Sequence, residues 1–104
     1  LTLYLGELDA VAEAFARLEC HYFINKGFLK NDNWILDNVN NIQHLPIAIV
    51  QGRYDVVCPM RSAWDLHKAL PDSSLFIIPS AGHSMLEKEI QKKLIQLTEL
   101  FIKY

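Results

Sequence analysis

Asp55 and His83 are the two side chains whose types and spacing could do chemistry together. A carboxylate hydrogen-bonded to an imidazole fixes the ring's tautomer. It also stabilises the imidazolium that forms when the ring takes a proton from a nucleophile. Asp55 lies in the stretch Gln51-Gly52-Arg53-Tyr54-Asp55-Val56-Val57-Cys58-Pro59, and His83 in Pro79-Ser80-Ala81-Gly82-His83-Ser84. Gly52 and Gly82 suit the sharp turns that aim such side chains. Each residue also has a plainer reading, since an Asp near Gly commonly forms a turn and a lone loop His is commonly solvated. Chain order and a shared sheet edge favour the pair.

The elements that must position the pair form a β-α-β-α unit. Pro46 to Val50 is a short, continuously apolar run with β-branched residues, read as a buried parallel strand ending near Gln51. Met60 to Leu70 sets Ala63, Trp64, Leu66 and Leu70 against Arg61, Asp65 and Lys68, an amphipathic helix stopped by Pro71. Ser74 to Ile78 is the second strand. In a parallel pair both following loops leave the carboxyl edge, where α/β proteins bind ligands, so Asp55 and His83 can meet. Ser84-Met85-Leu86-Glu87 has the form of a capping box for a last helix running to about Lys103, with Leu86, Ile90, Leu94, Leu97 and Phe101 on one side.

The preceding segment, 1–44, is helical. From Glu7 to about Asn25 an apolar side carries Leu8, Val11, Phe15, Leu18, Tyr22 and Phe23, opposite an exposed Glu13–Arg17 pair. Glu19 breaks this division by projecting into the apolar stripe. Such a carboxylate is buried with a partner or lines a cavity, because burying it alone costs about several kcal/mol. Otherwise the helix ends early and Glu19 is solvated. Lys26-Gly27 reads as the helix stop, and Asn31 or Asp32 caps a short helix with Trp34, Ile35, Val39 and Ile42. The expected organisation is therefore 1–44 as a helical segment and 45–104 as the β-α-β-α unit. Two strands are too few for an independently stable sheet, so further strands come from an upstream half or another copy.

Bulk properties narrow the function. The 104 residues are 51% hydrophobic and 21% charged with a net charge of −2, ordinary for a globular domain and without a basic footprint for nucleic acid. No apolar run is long enough to span a membrane, and Leu1-Thr2-Leu3-Tyr4-Leu5 lacks the basic flank and cleavage site of a signal peptide. The absence of a starting Met fits a processed or excised piece. Cys20 and Cys58 are too few and too far apart for a disulfide framework or a zinc site, so no metal or cofactor is expected and a reducing cytoplasm is the default.

The nucleophile is the gap. α/β-Hydrolases order their triad as Ser, then Asp or Glu, then His, with the serine in a G-x-S-x-G elbow. No such motif occurs in the chain, and Ser62, Ser73, Ser74, Ser80 and Cys58 lack its glycine context. Asp55 and His83 fit second and third place, with the serine expected before Leu1.

The blocks Ala14-Phe15-Ala16-Arg17-Leu18-Glu19-Cys20-His21-Tyr22-Phe23, Gln51 to Pro59, Ala63-Trp64-Asp65-Leu66-His67 and Ala81-Gly82-His83-Ser84 closely resemble the C-terminal part of proline iminopeptidases. These prolyl aminopeptidases are α/β-hydrolases of the serine peptidase kind. The resemblance covers nearly the whole chain. It implies that Asp55 and His83 are the triad acid and base. It also implies that Glu19 is one of the acidic residues that hold the charged imino group of a peptide's N-terminal proline. The second acidic contact, the oxyanion hole and the serine elbow are implied upstream. Cys20, where asparagine is common, and Met85-Leu86-Glu87-Lys88 after the G-H-S depart from the family pattern at the rim of the site. Two other readings stay open: a hydrolase of another substrate class, such as an esterase or epoxide hydrolase, and a non-catalytic, self-associating truncated product.

Overall fold

The computed structural model describes the backbone of residues 2–103 and the side chains of residues 9–103. Leu8, expected on the apolar side of the first helix, lies outside the described side chains, as does the run from Leu1 to Leu5. The chain divides into two compact units, Leu1–Ile35 and Leu36–Tyr104.

The first unit is dominated by helix α1, Thr2–Ile24. It begins earlier than the expected Glu7, because nothing in Leu3-Tyr4-Leu5 breaks a helix and Gly6 costs only about 1 kcal/mol there. Glu13 and Arg17 pair at 3.8 Å on its exposed side. Its apolar side is equally bare, with Phe15 63% and Phe23 76% exposed. Glu19 is exposed too, so neither a buried partner nor an enclosing wall surrounds it within its own unit. The helix stop is more elaborate than a single glycine. Lys26, Gly27 and Phe28 take φ of 51°, 63° and 62°, three successive residues in the left-handed region that only glycine enters without steric cost. This turn folds Phe28 back against the rings of Tyr22 and His21, each with centroids 5.3 Å away. The Asn25 side-chain amide donates to the His21 carbonyl at 2.8 Å, alongside the Asn25 backbone amide at 3.3 Å, so one residue closes the last turn twice.

The Asn31 side chain accepts the Asn33 amide at 3.0 Å, a tight turn leading into the four-residue helix α2, Trp34–Asp37. The longer helix expected over Trp34 to Ile42 is not continuous. Asn38, at φ −117° and ψ 14°, separates α2 from a single 3-10 turn at Val39–Asn41. Asparagine side chains favour such local turns over a helix interior. Residues 36–44 cluster with the second unit, where Gln43, His44 and Leu45 line a hollow beside Leu70, Pro71 and Asp72.

The second unit carries β1 (Ala48–Gly52), α3 (Met60–Ala69), β2 (Ser74–Ile78) and α4 (Lys88–Phe101). The strands pair in parallel with Ala48 opposite Ser74 and Gly52 opposite Ile78. β1 starts after the expected Pro46 and runs through Gln51 to Gly52. Burial is less complete than an apolar strand implies: residues of β1 before Gly52 are half-buried and Ile77 is 41% exposed. A two-stranded sheet has no third strand to complete its cover. The core is small: Ile78, Ala81 and Ile90 with Val50 packed against them, and Ala63 and Leu70 from the α3 side.

The expected capping box does not form. α4 begins at Lys88 with Glu87 as its N-cap residue, and the Glu87 side chain makes no cap bond. The Ser84 hydroxyl instead accepts the Leu86 amide at 3.1 Å, and the Glu87 carboxylate accepts the Gly82 amide at 2.9 Å. Leu86 accordingly lies outside α4 and is exposed. Residues 84–87 form a turn closed by the Glu87 amide on the Ser84 carbonyl at 3.1 Å, which spends both partners of the box locally.

Candidate active site

The two loops that leave the carboxyl ends of β1 and β2 are joined beyond the sheet. The Arg53 amide donates to the Ile78 carbonyl at 3.0 Å, and the Tyr54 amide to the Ala81 carbonyl at 2.9 Å. Between these bonds the backbones pass so closely that a Cβ on Gly52 would overlap the Gly82 carbonyl oxygen and stand 2.7 Å from that of Ala81. Only glycine fits there. The Gln51 side-chain amide donates to the Cys58 carbonyl at 2.9 Å and to the Gly52 carbonyl at 3.2 Å, pinning the far end of the first loop to the strand.

Inside that frame Asp55 has each carboxylate oxygen committed. Oδ1 accepts the amides of Cys58 at 2.8 Å and Val57 at 3.0 Å, and Oδ2 lies 3.0 Å from His83 Nδ1, across 28 residues of sequence. The Asp55 side chain is 7% exposed, whereas that of His83 is 54% exposed. The bond from the Cys58 amide holds the Asp55 carboxyl below its ordinary value. Desolvation opposes this, and the His83 bond and charge and the Val57 amide add to it. Asp55 is therefore ionised at neutral pH and can only accept, so His83 Nδ1 carries the proton and donates. In the neutral ring Nε2 is then the lone-pair nitrogen, and it has no hydrogen-bond partner among the described residues, on an exposed ring. The arrangement can take a proton from a group presented to Nε2 and stabilise the resulting imidazolium beside a fixed carboxylate.

Cys58 joins the pair in a cluster whose possible ligand atoms, one each from Asp55, Cys58 and His83, lie within 4.8 Å of one another. Both cysteines are free thiols.

Of the three candidates read from the sequence, the structure brings Asp55 and His83 together and places Glu19 on the exposed surface of α1 in the other unit. Sequence reasoning missed Gln51 and Glu87. A polar residue ending an apolar strand was a usable signal for Gln51. Glu87 was visible, but the S-x-x-E pattern assigns its carboxylate to the wrong amide.

A family model described as "TAP-like protein", an α/β-hydrolase model, matches residues 14–96. The chain is 60% identical over 94 residues to a probable proline iminopeptidase of Leptolyngbya boryana, covering 90% of this chain and 29% of that protein. It is 55% identical over 94 residues to a proline iminopeptidase of Arabidopsis thaliana, covering 90% of this chain and 25% of that one. A proline iminopeptidase of Xylella fastidiosa is 50% identical over 91 residues, 88% of this chain and 29% of its own length. The chain thus spans between a quarter and a third of the curated relatives it matches, and within that span it carries a parallel β-α-β-α unit with an acid and a base on adjoining loops. It belongs to the TAP-like family of α/β-hydrolases.

Proposed function

We propose that this chain supplies the acid and base of a serine peptidase that removes an N-terminal proline from peptides, a prolyl aminopeptidase. The observation that carries the reading is the 3.0 Å contact between Asp55 and His83 at the carboxyl edge of a parallel pair. The names of the relatives supply the substrate class. In the complete enzyme a serine outside these residues attacks the carbonyl of the proline. His83 Nε2 takes the hydroxyl proton and later gives it to the leaving amine, while Asp55 holds Nδ1–H and offsets the imidazolium charge. In protein extended to the relatives' length, Asp55→Ala and His83→Ala should each abolish cleavage of a proline arylamide. Activity that survives both changes sinks the assignment.

Glu19 is proposed as a contact for the charged imino group. An exposed carboxylate on α1 supports this, together with the names of the relatives. Glu19→Gln should raise KM for proline arylamides by about tenfold or more, the loss of roughly 1.4 kcal/mol from one charged contact. An unchanged preference for N-terminal proline in that variant removes Glu19 from the site. Two free, exposed thiols support a reducing, cytoplasmic location, and among the described residues no helix is long and apolar enough to cross a membrane. With no G-x-S-x-G in the sequence, the 104 residues by themselves are proposed to be inactive and to need an upstream half, or another copy, over the open strand edges.

A further inference from the structure

We propose that Glu87 is a positioning residue for His83, an inference that rests on reading His83 as the catalytic base. Two bonds, to different partners, anchor the segment that leads into His83. On one side the Ala81 carbonyl accepts the Tyr54 amide at 2.9 Å, which ties the loop to the segment bearing Asp55. On the other side the Gly82 amide, one residue before His83, donates to Glu87 Oε2 at 2.9 Å. Glu87 is itself held firmly. Its carbonyl accepts the Gln91 amide at 2.9 Å in the first turn of α4, and its amide closes the turn from Ser84. One turn into α4, Ile90 is buried against Ile78 and Ala81. The carboxylate thus connects the His83 backbone to a helix seated on the core.

The half-buried Gly82 amide has no other acceptor among the described residues. A carboxylate accepting a backbone amide makes a charge-assisted bond, stronger than a neutral one. Space also argues for the contact: a Cβ on Gly82 would stand 3.3 Å from Glu87 Oε2, tighter than ordinary packing, so a bare residue at 82 lets the carboxylate approach. Without the Glu87 carboxylate the Gly82 amide loses its acceptor, while the Ala81 bonds and the Ser84 turn remain. The peptide that leads into His83 is then free to tilt, and the imidazole shifts relative to Asp55 Oδ2. Glu87 touches no reacting atom and acts through the His83 backbone.

Three variants in the full protein separate the possibilities. Glu87→Ala removes the acceptor. Glu87→Asp keeps the charge and a good N-cap residue for α4 but is one methylene too short to reach Gly82. Glu87→Gln keeps an acceptor oxygen at the same reach. Glu87→Ala and Glu87→Asp should each lower kcat for a proline arylamide by on the order of tenfold to a hundredfold, the effect of roughly an ångström of misplacement, with little change in KM. Glu87→Gln should stay close to the parent. A second readout needs no turnover: imidazole nitrogen shifts of His83, recorded where the ring is neutral, should show the proton on Nδ1 in the parent and Glu87→Gln and a mixture of tautomers in Glu87→Ala and Glu87→Asp. Unchanged tautomer and kcat in Glu87→Asp overturn the proposal, as does a Glu87→Gln protein impaired like Glu87→Ala. If the parent cleaves no proline arylamide, the peptidase reading fails by itself, and the nitrogen shifts still decide the role of Glu87.

Discussion

Asp55 is ionised because the backbone around it turns two amides inward, and this has a consequence for pH. Its carboxyl is held low chiefly by the Cys58 amide, with His83 and Val57 assisting against desolvation. A depressed acid contributes stability that is present above its unfolded value of about 3.9 and is lost as pH falls through the folded value. The loop from Arg53 to Cys58 should therefore keep its form through mild acid and open only below the ordinary aspartate range. Carbon NMR of the Asp55 carboxyl checks this directly; titration at or above the free-aspartate value would mean that the amide bonds do not hold it. The residue types of the pair were legible in the sequence because acid and base are chemically conspicuous. The partners of Oδ1 were not, since any residue's amide can donate and its side chain carries no sign of it. Glu19 shows the opposite limit. Its odd place in an apolar stripe was plain from helical spacing, yet spacing says nothing about whether that stripe is covered.

At the scale of elements, β2 and α3 stand where apolar patterning and the flanking prolines put them, because both signals are local. β1 begins two residues after the expected Pro46 and ends at Gly52, one past the expected Gln51, because its extent is set by pairing with β2 and by the passage of Gly82, neither of which is local. The same cause displaced the start of α4, where Glu87 serves a loop amide in preference to its own helix. The crossing at Gly52 yields a sharp expectation. Gly52→Ala must push the two loops apart, at a cost of about 1–3 kcal/mol for overpacking, and it should separate Asp55 from His83 as well. Thermal unfolding and the His83 nitrogen shifts should change together. A variant of parent stability with the pair intact would show that the loops yield without cost.

For the molecule as a whole, the unburied apolar surface outweighs the core. Pro46, Ile47, Phe76, Leu97, Leu100 and Phe101 line an open hollow of about 490 Å³ at the starts of the strands, away from the Asp55 loop. The apolar side of α1 adds Val11, Phe15, Leu18 and Phe23 to the exposed surface. Exposed apolar area of this kind, beside strands with free edges, drives association. The purified 104-residue chain should therefore sediment as oligomers whose mass rises with concentration. A monomer that melts cooperatively at every concentration would show that the second unit's small core suffices.

The amide bonds that continue the β1–β2 ladder past its last residues, Arg53 to Ile78 and Tyr54 to Ala81, place the acid and base within the hydrogen-bonded body of the sheet. Active-site loops are commonly drawn from the least stable parts of a fold and open independently. These two loops are hydrogen-bonded into the strands, so the Tyr54 amide should exchange with solvent at the pace of Val50 rather than of a surface turn. Whatever loosens the sheet, whether heat, denaturant or the loss of a neighbouring strand, should then disable proton transfer at the same threshold. In this chain the Asp55–His83 contact is built into the same hydrogen bonding that holds the two strands together.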